Sequence, residues 1–406
     1  MERVRIAQFS DLHLGVNLAG GKLMLPEDKA RRRRSEQRAA FTSFASYVRE
    51  TSPDIVLIAG DLFETGEPEI DDLNFAINTV NSMGGVPVFI IPGNHDPYGP
   101  SSCYETASAL YQGRPGGPKW GRHVHIFTSE RFETVEVHTL PGVTVTASAF
   151  QRHTPPGTRP LGDLRAPESE GVHLLLFHGS LENYPQAWQD TAVCPFTVEE
   201  LEAAGFHYAA VGHYHHGGRI EGRDGRVLGA YAGAPMAFSL SEAGAGTWLE
   251  VELVPGQPLS SVSLRWHRSD ARQVHRLELD VTGHTDSTSL AAHLEKALEG
   301  VSPDDIVYLV VRGRLTPGVE FDPAPVLSER FFHAVVDASG VEPDYSIDFD
   351  AEVPEELDLA ATSEEVFRWK MLKLYREAGD EARRALVREA LFYGLDALKT
   401  GKVHLR

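Results

Sequence analysis

Five short apolar runs in this chain each end on residues that can bind a metal or move a proton, and no other feature restricts the fold as tightly. Val4–Phe9 runs into Ser10, Asp11, Leu12 and His13, and Ile55–Ala59 runs into Gly60 and Asp61. The run 86–91 meets Pro92, Gly93, Asn94, His95 and Asp96. The run 172–177 meets His178 and Gly179, and 208–211 meets Gly212, His213, Tyr214 and His215. Unbroken apolar runs of this kind suit strands buried on both faces. In open α/β sheets, the loops beyond the carboxyl ends of the strands build the site. The pattern therefore predicts that Asp11, His13, Asp61, Asn94, His95, His178, His213 and His215 converge, although they are distant in sequence.

Helical spacing fills the gaps early in the chain. Residues 30–50 place Ala40, Phe41, Phe44, Tyr47 and Val48 on one stripe, and 70–83 place Leu73, Ile77 and Val80 together. Strand, helix, strand, helix, strand reads as βαβ units in an α/β core. The middle turns β-rich, with strands expected at 124–127, 132–137, 143–149, 227–231 and 247–253, and a Pro- and Gly-rich loop at 151–171. A composition shift at 255–261 marks a boundary, so the first domain is expected to span 1–256. A strand at 274–281, a helix at 287–298 and a strand at 306–311 predict a small α+β domain over 270–345. Residues 342–365 hold ten acidic residues and no Lys or Arg, which reads as an exposed linker. Two helices are expected within 360–400; the first opens on the capping-box pattern Thr362-Ser363-Glu364-Glu365. Leu386, Ala390, Leu391, Leu395 and Leu398 recur at helical steps in the second.

Composition narrows the function classes. No apolar run in the 406 residues reaches the roughly 18–20 needed for a membrane helix, and the start of the chain lacks the features of a signal peptide. Cys103 and Cys194 make no disulfide framework or metal-binding pair, so a cytoplasmic protein with no membrane partner is expected. The formal net charge of −20 argues against a broad basic face for nucleic acid, though not against a local basic track.

Mixed carboxylate, amide and imidazole donors suit manganese, iron or zinc in an open site. Asp11 and His13, like His213 and His215, stand two residues apart, so an extended backbone turns both side chains the same way. If Asp61 is shared, the set Asp11, His13, Asp61, Asn94, His178, His213 and His215 offers four ligands to each of two ions. Two ions roughly 3.5–4 Å apart can bind one phosphate and stabilise both the attacking and the leaving oxygen. A single histidine after a strand is more often an ordinary core or surface residue; the ordered set carries the expectation.

Taken in order, DLHLG, GDLF, GNHD, FHG and GHYH resemble the calcineurin-like metallophosphoesterases over residues 1–250. DLHLG with GDLF, and the segment 231–253, look like the SbcD-type DNA repair exonuclease branch, as does the terminal ALFYGLDALKTGK. The resemblance implies a four-layer sandwich of two β-sheets flanked by helices, followed by a small α+β capping domain and C-terminal helices. It implies Asp11, His13, Asp61 and His215 at one metal and Asp61, Asn94, His178 and His213 at the other. Manganese is the family's usual cofactor, with Mg²⁺, iron or zinc as alternatives. His95 would then sit over the phosphate and protonate the leaving oxygen, oriented by Asp96; an imidazole near neutral pKa suits proton transfer. Glu64 departs from the family, where many relatives carry His or Asp after GDLF. A side chain there would help place a nucleic-acid end.

The implied activity is hydrolysis of DNA phosphodiester bonds, as exonuclease or endonuclease, in DNA repair. The C-terminal helices would dock on a coiled-coil SbcC-type ATPase, and self-association into a homodimer stays open. Arg31, Arg32, Arg33 and Arg34 form a basic run at a helix start that could contact a DNA backbone or simply face solvent. Trp188, Trp248 and Trp369 read as packing residues. Two other functions remain: a small-molecule or cyclic-nucleotide phosphodiesterase using the same site, and a binding subunit whose site is inert.

Overall fold

Strands β1 (Val4–Phe9), β2 (Ile55–Ala59) and β3 (Val88–Ile91) pair in parallel, as their unbroken apolar runs require. β4 (Val124–Ile126) continues the sheet beyond β3, again parallel. On the other side of β1, β11 (Thr247–Val254) and β12 (Ser261–Arg268) add antiparallel, giving the order β12-β11-β1-β2-β3-β4. This is a computed structural model of the 406-residue chain. It describes residues 3–105, 119–155, 157–185, 192–256, 261–316, 319–345, 347–357 and 361–401, so Trp188 lies outside the described residues.

The second sheet has the order β5-β6-β7-β8-β10-β9, with β5 Glu133–Glu136, β6 Val143–Ala147, β7 Val172–His178, β8 Tyr208–Gly212, β9 Gly218–Glu221 and β10 Val227–Tyr231. Side chains alternate across each strand, and that alternation makes the layers. Val4, Ile6, Ile55, Leu57 and Ala59 face inward against Val143, Val145, Leu174, Leu176 and Ala210 of the second sheet. Ala7, Phe9, Val56 and Ile58 face outward, onto α1 (Glu27–Thr51) and α2 (Ile70–Asn81). Leu175, Phe177, Ala209 and Val211 do the same on the other side, against Leu201 and Ala204 of α3 (Val198–Ala204). The expected arrangement of two large sheets flanked by helices is what the chain forms.

Two compact units divide the chain: Met1–His275 with Asp304–Ile306, and Arg276–Pro303 with Val307–Arg406. The first does not end at 256, because β12 completes the first sheet and places Leu264 and Trp266 against its core. The second holds a three-stranded sheet, β13 (Val274–Asp280), β14 (Ile306–Leu315) and β15 (His333–Pro343), with α4 (Ser287–Ala297) and α5 (Ala324–Arg330). The acidic stretch is not a plain exposed linker. Its described residues Tyr345, Ile347 and Phe349 join a cluster with Phe392 and Leu395 of α7 (Glu381–Thr400), and Phe367 of α6 (Ser363–Glu377). On α7, Leu391 and Leu395 are fully buried, while Leu386, Ala390 and Leu398 are exposed. No helix among the described residues is long and apolar enough to cross a membrane.

Candidate metal centre and active site

The loop after β1 runs beside the loop after β2. Asp11 N donates to Gly60 O at 3.1 Å, His13 N to Asp61 O at 3.0 Å, and Leu14 N to Leu62 O at 3.1 Å. From the outer layer, Gln37 of α1 donates to the carbonyls of Leu12 and His13 at 2.6 and 3.0 Å. Asp11, His13, Asp61 and His213 all take positive φ, at 54°, 52°, 50° and 114°. L-residues rarely adopt that conformation, and it clusters where function demands it. Here it turns each side chain off its strand end toward one point. At Gly93 a Cβ would fall on the Asp61 carboxylate, so only glycine lets the third loop pass this close.

The residues expected to converge do so. One carboxylate oxygen or ring nitrogen each from Asp11, His13 and His215 lie within 4.8 Å of one another, and Asp11, Asp61 and His178 form a second such group. Asn94 Oδ1 lies 2.9 Å from His178 Nε2 and 3.2 Å from His213 Nδ1. Asp61 Oδ2 lies 3.3 Å from His178 Nε2 and 3.8 Å from His13 Nε2. His213 N donates to Asp11 Oδ1 at 3.0 Å.

This donor set suits cations. His178 Nδ1 must donate to the Ala59 carbonyl at 2.8 Å, because a carbonyl only accepts. A neutral His178 ring therefore points its Nε2 lone pair at the acceptors of Asn94 and Asp61. His13 Nδ1 faces the Glu64 carboxylate at 2.8 Å and His215 Nδ1 faces that of Glu242 at 3.1 Å. Their two Nε2 atoms then meet at 3.2 Å. Lone pairs turned on each other repel unless a proton or a metal lies between them. His213 Nε2 is buried with no hydrogen-bond partner. Asp11, His13, Asp61, Asn94, His178, His213 and His215 thus gather at one place as candidate donors.

Protonation in the metal-free site follows the same logic. Burial would lower His178, but the Asp61 carboxylate overrides it and raises the ring to about 9. Burial is likewise overridden at His215 by Glu242, again to about 9. Burial, reinforced by His178, pushes His213 down to about 3. Burial would raise Asp61, yet His178 and His13 hold it far below the usual carboxylate range. Protons occupy the places a metal would take, which is the expected competition at such a site.

His95 joins this cluster at its open edge, with one ring nitrogen within 4.8 Å of a ring nitrogen of His13 and a carboxylate oxygen of Glu64. Its side chain is 42% exposed, and its ring lies edge-on to His13 with centroids 4.7 Å apart. It shares a cavity of about 620 Å³ with His13, Asp61, Asn94, His213 and His215, rimmed by Asn17, Lys22 and Ser241. Asp96 does not orient it. Asp96 is fully buried and accepts from Gly93 N at 2.7 Å, Phe63 N at 3.1 Å and Tyr104 Oη. It is a brace for the third loop, and burial followed by the Asp61 charge raises it to about 6. The carboxylate facing His95 Nδ1 is Glu64, at 3.5 Å. Its hydrogen bond raises His95 above the ordinary imidazole value.

The basic run also needs correction. Arg33 is fully buried, with both terminal nitrogens on Asp270 at 2.6 and 2.9 Å, so it cannot reach a DNA backbone. Asp270 accepts in turn from Ala237 N at 3.1 Å, which fixes the segment carrying Phe238 and Glu242. Arg34 pairs with Glu27 at 3.2 Å and Arg32 with Glu36 at 3.5 Å, while Arg31 and Arg32 are exposed. Glu242 and Tyr104 were missed because neither lies near a strand-end motif. Glu242 sits in the segment 231–253 that carried the family likeness, which was the available signal.

Comparison with known proteins agrees with this geometry. The model of the family described as calcineurin-like phosphoesterase matches residues 4–217, more than half of the chain. Similar solved structures include TT1561 of Thermus thermophilus, at 13% identity and TM-score 0.35, covering 66% of this chain and 100% of its own. A dimetal phosphatase from Danio rerio is 12% identical, with TM-score 0.37, covering 64% of this chain and 99% of its own. GAP50, the anchor in the inner membrane complex of Plasmodium, is 11% identical with TM-score 0.37, covering 73% and 95%. At such low scores these likenesses add nothing to the family match. With five strand ends delivering carboxylate, amide and imidazole donors to one point, and the family model spanning all of them, the chain belongs to the calcineurin-like phosphoesterases, a family of metal-dependent hydrolases.

Proposed function

We propose that the chain is a metal-dependent phosphodiesterase acting on DNA, the nuclease component of a repair complex with a coiled-coil SbcC-type ATPase. The observation that carries the phosphodiesterase reading is the pairing of a buried to half-buried seven-residue donor set with a half-exposed His95 in one open cavity. DNA as substrate and the ATPase partner rest on the order of the motifs and on the likeness of DLHLG, GDLF and the C-terminal segment to the SbcD-type branch.

Two divalent ions, manganese by family habit, would supply charge for the phosphate oxygens and for the attacking water. The residues of this chain do the rest. Asp61, lying between the two groups of donors, is placed to serve both positions. His13, His178 and His215 are held in one tautomer and orientation by Glu64, the Ala59 carbonyl and Glu242. His95, kept more basic by Glu64, carries a proton for a larger share of the time at neutral pH. It is placed to give that proton to the departing sugar oxygen.

A second reading keeps a specific support. Arg33 is buried and Arg32 and Arg34 are paired with glutamates, so the basic run offers DNA less than its sequence suggests. With the net charge of −20, that favours a small phosphodiester as substrate. One assay separates the readings: labelled DNA and a small phosphodiester, each with Mn²⁺, Mg²⁺ or EDTA, for wild type and His95→Ala. Manganese-dependent shortening of DNA that falls roughly 10²–10⁴-fold in the variant supports the nuclease. Turnover of the small ester alone transfers the site to the second reading, or to a nuclease that needs its ATPase, which repeating the DNA assay with the ATPase and ATP decides. No turnover of either leaves a binding subunit.

A further inference from the structure

The donors of the metal centre are backed unequally from behind. Glu64 Oε2 lies 2.8 Å from His13 Nδ1, and Glu242 Oε1 lies 3.1 Å from His215 Nδ1. Both rings thereby turn Nε2 into the site, where the two atoms meet at 3.2 Å and a donor group with Asp11 forms. On the other side of the site the support is neutral. His178 Nδ1 donates to the Ala59 carbonyl at 2.8 Å. Asn94 brings an uncharged amide, 3.2 Å from His213 Nδ1, and His213 Nε2 has no hydrogen-bond partner.

A carboxylate behind an imidazole makes the ring more basic and adds a negative charge near the ion; a backbone carbonyl contributes only a dipole. Both glutamates are tied to neighbouring backbone, Glu242 the more deeply, its side chain 14% exposed against 34% for Glu64. Glu242 accepts from Phe238 N at 2.8 Å, and the segment before it is pinned through Ala237 N to Asp270, which Arg33 grips with two nitrogens. Glu64 follows directly on Phe63, and its own N donates to Leu14 O at 2.9 Å, so its backbone is tied to the loop that carries His13. The two carboxylates are therefore built into the walls of the site on the same side.

We propose that Glu64 and Glu242 are positioning residues that make the Asp11–His13–His215 position the tighter of two metal positions and the first to fill. The position around Asn94, His178 and His213 fills second and more weakly. This ordering rests on the metal-centre reading above.

The test uses the full chain, stripped with chelator and titrated with Mn²⁺ by calorimetry, with electron paramagnetic resonance counting free ion. Wild type is expected to bind in two steps, the first at least roughly tenfold tighter. Glu64→Gln and Glu242→Gln, which keep an oxygen but remove the charge, each weaken the tight step roughly 10–100-fold and leave the weak step in place. His178→Asn removes the weak step and leaves the tight one. Thermal melts in chelator check folding. Should a Gln variant fail to fold, the Asp variant at the same position retains the charge and is expected to keep a distinct tight step. Loss of the tight step in His178→Asn, or Gln variants that spare the tight step or weaken both alike, overturns the ordering while leaving a metal centre. No uptake of Mn²⁺ by wild type overturns the metal-centre reading itself, and the ordering with it.

Discussion

The two compact units bury different things. The second has an ordinary interior: Leu279, Leu290, Val307, Leu309, Val311 and Leu327 make an apolar core. Two of its buried acids are matched with a partner, Glu342 with Arg314 at 2.6 Å and Asp396 with Tyr345. The first unit buries Asp11, His13, Asp61, Asp96 and His178 around one set of strand ends. Their partners are largely one another and the backbone of the neighbouring loops: His213 N donates to Asp11, His95 N to Asp61, and His178 to the Ala59 carbonyl. Crowding so many buried charged groups at one place is costly, so a protein keeps them only where something else is gained. The difference separates a region built to hold itself together from a region built to hold something else.

The comparison would break most visibly at the metal. His178 and His215 stand at about 9 in the metal-free site, above the ordinary histidine value. Below that pH each carries a proton that an incoming ion must displace, so acid weakens binding and base strengthens it. Between pH 8 and pH 6 the apparent Mn²⁺ affinity should fall by roughly a hundredfold or more, with protons released on binding. Calorimetry in buffers of different ionisation enthalpy counts them. Hydrogen exchange should show Mn²⁺ protecting the loops after β1, β2 and β3 and leaving β14 unchanged. Equal protection of β14 would erase the distinction between the units.

Next in size is Arg33→Ala. It strands the Asp270 carboxylate, buried with the guanidinium as its bidentate partner, and should cost about 3–5 kcal/mol in denaturant unfolding. Because Arg33 is inaccessible, the salt dependence of DNA binding in the folded variant should not change; a reduced slope would return this residue to the phosphate-binding role its sequence suggested. Leu309→Ala, in the second unit, should cost about 2–5 kcal/mol by leaving a cavity. Its Mn²⁺ titration should match wild type. The smallest effect is expected from Tyr104→Phe, which takes one donor from buried Asp96 and should cost about 1–3 kcal/mol. The variant should retain His95-dependent turnover. A loss as deep as that of His95→Ala would make the brace part of the chemistry.

Much of the first unit was legible because its strands are parallel and buried on both faces. Such strands are continuous apolar runs, and the change of composition at their ends is abrupt: Ala59 to Gly60-Asp61, Ile91 to Pro92-Gly93-Asn94. Other parts were not. β12 alternates exposed and half-buried residues at the edge of a sheet, a weak signal after a Pro- and Gly-containing stretch, so the first unit seemed to end early. β15 was hidden for the same reason, its residues mostly half-buried or exposed. The acidic count of 342–365 concealed the three aromatic and aliphatic residues, Tyr345, Ile347 and Phe349, that pack onto α7.

The sequence by itself determined the layered α/β class and the set of donors brought to the strand ends. Local patterning decides which residues are buried and where each strand stops, and both are written in consecutive residues. Tertiary structure alone decided what stands behind each donor. That Glu64 rather than Asp96 faces His95, that Glu242 backs His215, and that Arg33 is sealed against Asp270 depend on pairs 27 to 237 residues apart or on which way a neighbouring side chain turns. Proximity in sequence made Asp96 a natural partner for His95, and the fold of the loop sent it into the core instead, onto Gly93 N and Phe63 N.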